Sequence, residues 1–182
     1  YVTHPTAAEK VAGGGVFVHY ENLSEKSVDV FVDVDVKNEA KKKTVFVQLD
    51  LLDSDGNAVA SSVNEYQLPK NNAVQTHAQF TVLNPKLWRP DNPQLHDLRV
   101  SLKNKRGDVL DTFIKRIGIR TVEMRGQDGF YLNGKPYPQL LIGANRHQDF
   151  AHIGHALPNN LHYRDALKLR QTGMRVIRSA HF

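Results

Sequence analysis

Two polar clusters near the end of the chain carry the residues best suited to chemistry. Asn145-Arg146-His147 follows the apolar run Leu140-Leu141-Ile142, and Arg178 and His181 follow a second run, Met174-Arg175-Val176-Ile177. An arginine presents a planar fork of donors that fits a carboxylate, and a neutral imidazole donates with one nitrogen and accepts with the other. Two imidazoles, a guanidinium and an amide together suit recognition of hydroxyls and a carboxylate. The plain alternative for any one of these residues is that it caps a strand end and faces water. Convergence favours a shared site. If the two apolar runs are neighbouring parallel strands, about 4.8 Å apart, Asn145, His147, Arg178 and His181 all leave the sheet on one rim.

The elements that would place them there read as strand, helix, strand. Leu140-Leu141-Ile142 is wholly apolar, as expected of a strand buried on both faces. After a polar loop, Asn159 or Asn160 is expected to cap a helix over Leu161 to Gln171, with Leu161, Ala166, Leu167 and Leu169 as its apolar stripe and Gly173 as its terminator. Met174 to Ile177 reads as the second buried strand, giving one parallel, right-handed βαβ unit. A single unit cannot cover both faces of its sheet. The tail is therefore expected to be poorly ordered, or to pack against the rest of the chain or a second copy, so self-association is an expected partner mode.

Upstream the periodicity changes. From about Val16 to Glu123 apolar and polar residues alternate, the signature of half-buried strands. Val28, Val30, Val32, Val34 and Val36 interleave with Asp29, Phe31, Asp33, Asp35 and Lys37. Val45 to Leu51, Val74 to Val82 and Leu98 to Leu102 repeat the pattern. Asp53-Ser54-Asp55-Gly56-Asn57 and Lys105-Arg106-Gly107-Asp108 are turn sequences between them. About seven short strands predict an immunoglobulin-like antiparallel β-sandwich. Asn133-Gly134, between Phe130-Tyr131-Leu132 and Lys135-Pro136-Tyr137, predicts a further tight hairpin. The expected organisation is mainly β: residues 1–123 as the sandwich domain, and 124–182 as the N-terminal portion of an incomplete (β/α)8 barrel.

Bulk properties bound the function classes. There is no cysteine among 182 residues, which excludes disulfides and thiolate metal sites. No apolar run approaches bilayer length, so no membrane partner is expected. The start, Tyr1-Val2-Thr3-His4-Pro5, lacks the basic flank and apolar stretch of a signal peptide, and the missing initiator Met points to a mature product or an excised piece. The net charge of +5 invites a nucleic-acid reading. The basic residues are scattered, however, and Lys41-Lys42-Lys43 sits between strand-like segments as a solvated turn would, so no nucleic-acid partner is expected. His147, His152, His155 and His162 lack ligand spacing, so neither metal nor cofactor is expected. Trp88 reads as packing for the end of the sandwich rather than as a sugar platform.

A longer set of motifs carries a resemblance. Asn84-Pro85-x-Leu87-Trp88-x-Pro90-x-Asn92-Pro93-x-Leu95 is followed by Gly118-Ile119-Arg120 and Leu132-Asn133-Gly134-Lys135-Pro136. Gly143-Ala144-Asn145-Arg146-His147, an Asp165 opening a helix, and Ile177-Arg178-Ser179-Ala180-His181-Phe182 complete the series. From Val16 to the last residue the chain resembles glycoside hydrolase family 2, which contains the β-galactosidases and β-glucuronidases.

The resemblance implies that the sandwich is the family's second domain and that its catalytic TIM barrel is begun here. It implies that His147 and His181 line the sugar pocket and that Arg178 holds the nucleophilic carboxylate ionised and oriented. Asn145 helps to shape the pocket floor. The chain departs from the family pattern at Gln148, Ala180 and Phe182, where Glu, Ser and Tyr are usual. Retaining glycosidases need two carboxyls about 5–5.5 Å apart, and in the family both are glutamates on later barrel strands. Asp128, Asp149 and Asp165 match neither. The implied function is part of a retaining β-glycosidase, a β-galactosidase first, acting on a carbohydrate substrate, with this piece inactive alone. The parent's compartment stays open, with export favoured. The competing reading is an immunoglobulin-like binding or structural module.

Overall fold

The computed structural model describes residues 1–3, 15–147 and 149–180. The chain divides into two compact units, 1–136 and 137–182.

The first unit contains two antiparallel sheets. In one, β1 (Val16–Glu21), β2 (Ser27–Asn38) and β5 (Asn72–Leu83) run in the order β1-β2-β5. In the other, β3 (Lys43–Leu52), β4 (Ala58–Leu68), β6 (His96–Lys103) and β7 (Val109–Ile117) run in the order β4-β3-β6-β7. The period-two valines decide which face is inside. Val28, Val30, Val32, Val34 and Val36 are essentially buried and pair with Val82, Phe80, Ala78, Thr76 and Val74 of β5. Val45, Val47, Leu49 and Leu51 meet them from the second sheet with Leu98, Val100 and Leu102. Each such side chain contributes about 1.5–3 kcal/mol of burial, which fixes the register, since a one-residue slip would turn all of them outward.

The turns follow the sequence. Gly56 and Gly107 take positive φ (84° and 86°) in the β3–β4 and β6–β7 connections. Two features were not legible from periodicity. Val2 is buried and bridges to Val36, so the first residues extend the edge beside β2 beyond Val16, the start of β1. Asp35 and Asp50, which alternation assigns to the water face, are buried instead. The Asp50 carboxylate accepts from Gln48 Nε2 (2.9 and 3.0 Å), Ser61 Oγ (2.8 Å) and Arg99 Nη2 (3.0 Å).

A small ribbon of β8 (Val122–Met124), β9 (Phe130–Leu132) and β10 (Lys135–Pro136) completes the unit. Asn133 and Gly134 both take positive φ (54° and 72°), the two-residue type I′ turn that Asn-Gly favours. The Asn133 amide donates to the Trp88 carbonyl at 3.1 Å, tying the ribbon to the unit. By compactness the ribbon groups with the sandwich sheets, and the two units divide after Pro136. Trp88 itself is packed. A Cβ at Gly118 would stand 2.8 Å from its Cδ1, and the Arg120 guanidinium lies 4.3 Å from its ring centroid.

The second unit holds β11 (Gly143–Arg146), α1 (Asn159–Gln171) and β12 (Val176–Ser179). β11 and β12 are parallel, as the βαβ reading requires. The limits differ from expectation. Leu140-Leu141-Ile142 is not a strand; the ladder starts where the Ile142 carbonyl accepts from Arg175 and Val176. Nor are the two runs buried: Leu140 is 82% and Ile142 58% exposed, with Val176 and Ile177 near 40%. Two strands and one helix supply too little apolar surface to cover both faces. Neither Asn159 nor Asn160 caps the helix. Pro158 occupies the cap position without a side-chain bond, its fixed φ suiting a helix start. Gly173 ends the helix with φ 88°.

Candidate active-site rim

The parallel register sets the geometry. Asn145 lies opposite Arg178, and Arg146 opposite Ser179. Arg178 Nη1 stands 3.5 Å from Asn145 Oδ1, so the amide and the guanidinium meet, and both are exposed. His147 follows β11 directly and is exposed. Asn145, His147 and Arg178 therefore gather at the C-terminal ends of one parallel pair. His181 lies outside the described residues.

Alternation along β11 sends the next residue elsewhere. The Arg146 guanidinium donates to Asp165 Oδ2 at 2.7 Å and is committed to the helix, with about a fifth of its side chain exposed. Asp165 does not open α1, as the sequence suggested, but sits in its middle turn. A helix N-terminal charge is therefore not its role. The hydrogen bond from Arg146 holds its carboxyl below the usual range. Sequence reasoning missed this pair, because nothing in a spacing of nineteen residues announces it. In the loop between β11 and α1, Asp149 pairs with His155.

Chemically the rim offers a fork of N–H donors, an amide and an imidazole. That set can hold hydroxyls and an anionic group. Among the described residues it contains no pair of carboxyls for acid–base or nucleophilic work, and no group of three or more potential metal ligands.

The profile of Glycosyl hydrolases family 2 matches residues 14–120, more than half of the chain. The chain belongs to this family. Among its curated relatives, a β-galactosidase of Thermoanaerobacter pseudethanolicus is 34% identical over 134 residues, covering 73% of this chain and 17% of that protein. A β-glucuronidase of Bacteroides fragilis is 31% identical over 173 residues, covering 94% of this chain and 24% of the relative. The crystal structure of a Bacteroides uniformis β-glucuronidase superposes with a TM-score of 0.81 at 32% identity, over 92% of this chain and 20% of that one. This family 2 chain thus spans about a fifth of the length of the relatives it matches.

Proposed function

We propose that this family 2 chain is the sandwich and the first barrel strands of a retaining β-glycosidase that hydrolyses terminal β-linked sugars. In this reading residues 124–182 begin the catalytic barrel, and the rim of Asn145, His147, Arg178 and His181 is the part of its sugar pocket that this chain supplies. The observation that carries it is the parallel register that sets Asn145 opposite Arg178 at the strand ends, since that edge of a (β/α)8 barrel is where active sites form. Arg178 would lie beside the nucleophilic carboxylate, where a cation favours the ionised form. His147, His181 and Asn145 would hold sugar hydroxyls. The two carboxyls that break the bond would come from chain beyond this segment, so the 182 residues alone would hydrolyse nothing.

The sugar proposed first is galactose. A β-glucuronide is the second reading, favoured by the β-glucuronidase names among the relatives. The longer protein should release p-nitrophenol from its β-D-galactoside or its β-D-glucuronide, and the ratio of kcat/KM values chooses between them. Retention of anomeric configuration in the first-formed product is expected. A longer protein that cleaves no β-glycoside would end this reading.

A further inference from the structure

Cations that are scattered along the sequence share one end of the β-sandwich. Strand register fixes this. β2 ends beside the start of β5 (Asn38 opposite Asn72), β3 starts beside the end of β4 (Lys43 opposite Leu68), and β6 ends beside the start of β7 (Lys103 opposite Val109). Phe46 of β3 faces Lys103 of β6, so the β6–β7 turn lies at that same end. The turns 39–42, 69–71 and 104–108 therefore project together. Two of them are tied by Asn38, whose amide donates to the Pro69 carbonyl at 2.7 Å and the Lys41 carbonyl at 3.1 Å.

Lys41, Lys42, Lys43, Lys70, Lys105 and Arg106 occupy these turns and their margins, and all are exposed. The three turns hold two acids. Glu39 is held by Lys37 at 3.3 Å and by the Tyr1 hydroxyl at 3.1 Å, and Asp108 accepts from the neutral Asn104 amide at 2.8 Å, so the six cations outnumber the acids of their own turns three to one. Among the described residues none of the six cations has an ion-pair partner. Gathering like charges in such excess costs self-repulsion, and a polyanion relieves it while releasing its own counterions.

We infer that this end of the sandwich docks an anionic, uronate-bearing polysaccharide. That the polymer is a glycan rests on the glycosidase reading; that it is anionic rests on the turns. Five of the six cations are lysines, whose flexible ammonium groups act as point charges able to follow spaced carboxylates on a mobile polymer. The three turns carry no aromatic residue, whereas surfaces for single-stranded nucleic acid combine positive charge with stacking side chains.

The test measures binding of the 182-residue chain to polygalacturonate at about 50 mM salt, with neutral galactan and with duplex DNA at matched charge concentration. Retention by polygalacturonate that weakens steeply with added salt is expected, with none by galactan. The combined variant Lys41→Ser, Lys42→Ser, Lys43→Ser, Lys70→Ser should bind at least about tenfold more weakly, with an unchanged melting temperature because all four side chains are exposed. Equal binding by variant and parent, no polygalacturonate binding, or tighter binding to the DNA would overturn the inference. The glycosidase reading fails separately. Loss of polyuronate binding with β-glycoside cleavage intact in the longer protein sinks the docking surface alone, whereas persistent, lysine-dependent binding without cleavage upholds the surface and sinks the enzyme reading.

Discussion

Asn145 and Arg178 face each other across the β11–β12 ladder, with Arg178 Nη1 3.5 Å from Asn145 Oδ1. The next residue, Arg146, turns instead to Asp165 of the helix at 2.7 Å. Adjacent residues of one strand thus divide the work: Asn145 is presented at the rim, and Arg146 fastens α1 to the strand that carries it.

Gly143 is what lets those strands approach. A Cβ there would stand 2.6 Å from the Val176 carbonyl oxygen and 3.0 Å from the Val176 Cβ, and a backbone atom cannot swing aside. Gly143→Ala should separate the ladder. Amide exchange at Arg175 and Val176, which donate to the Ile142 carbonyl, is expected to accelerate by about tenfold or more. Unchanged protection at both amides would refute this.

Asp50 anchors the outer face of the larger sheet. Burial alone would raise its pKa, but hydrogen bonds from Gln48, Ser61 and Arg99, with the Arg99 charge, bring the net shift below the ordinary carboxylate range. A depressed folded pKa stabilises the fold above the unfolded value, about 3.9, and that stability is lost as pH falls through the folded value. Asp50→Ala should cost about 1–3 kcal/mol at neutral pH by stranding its donors. Urea unfolding should show the gap between parent and variant closing in strong acid; a gap independent of pH would count against this account.

The joint between Trp88 and Gly118 makes a third prediction. Gly118→Ala drives a methyl to 2.8 Å from the indole Cδ1 and 2.9 Å from its Cβ and Cγ. A loss of about 1–3 kcal/mol is expected from this overpacking. The chain has one Trp, so its emission reports the displacement directly. A variant with parental stability and spectrum would show that the contact yields freely.

Much of this architecture was legible because it rests on periodicity and turn chemistry. Five alternating valines announce β2, and Asn133-Gly134 announces the hairpin whose positive φ values then appear. The parallel pair was readable from chain order, and with it the meeting of Asn145 and Arg178. What escaped depends on long-range pairing. Arg146 could not be separated from Asn145 by residue type, since the face each presents is set by where β11 begins, and that start lay three residues later than the apolar run suggested. Asp50 looked like a surface carboxylate because alternation cannot see Ser61 and Arg99, the partners supplied by neighbouring strands. The basic turns looked scattered for the same reason: sheet register, not sequence, gathers them.

The central claim is that the β11–β12 rim is part of a glycosidase pocket. The most direct measurement is the kcat of the longer protein carrying Arg178→Ala on its preferred p-nitrophenyl β-glycoside, taken across pH. Matching far-ultraviolet circular dichroism of variant and parent separates loss of chemistry from loss of fold. The account predicts a fall in kcat of about 10²–10³-fold, with the acid limb of the kcat/KM profile moved to higher pH as the nucleophilic carboxylate loses its cation. Parental kcat with an unshifted acid limb would contradict it.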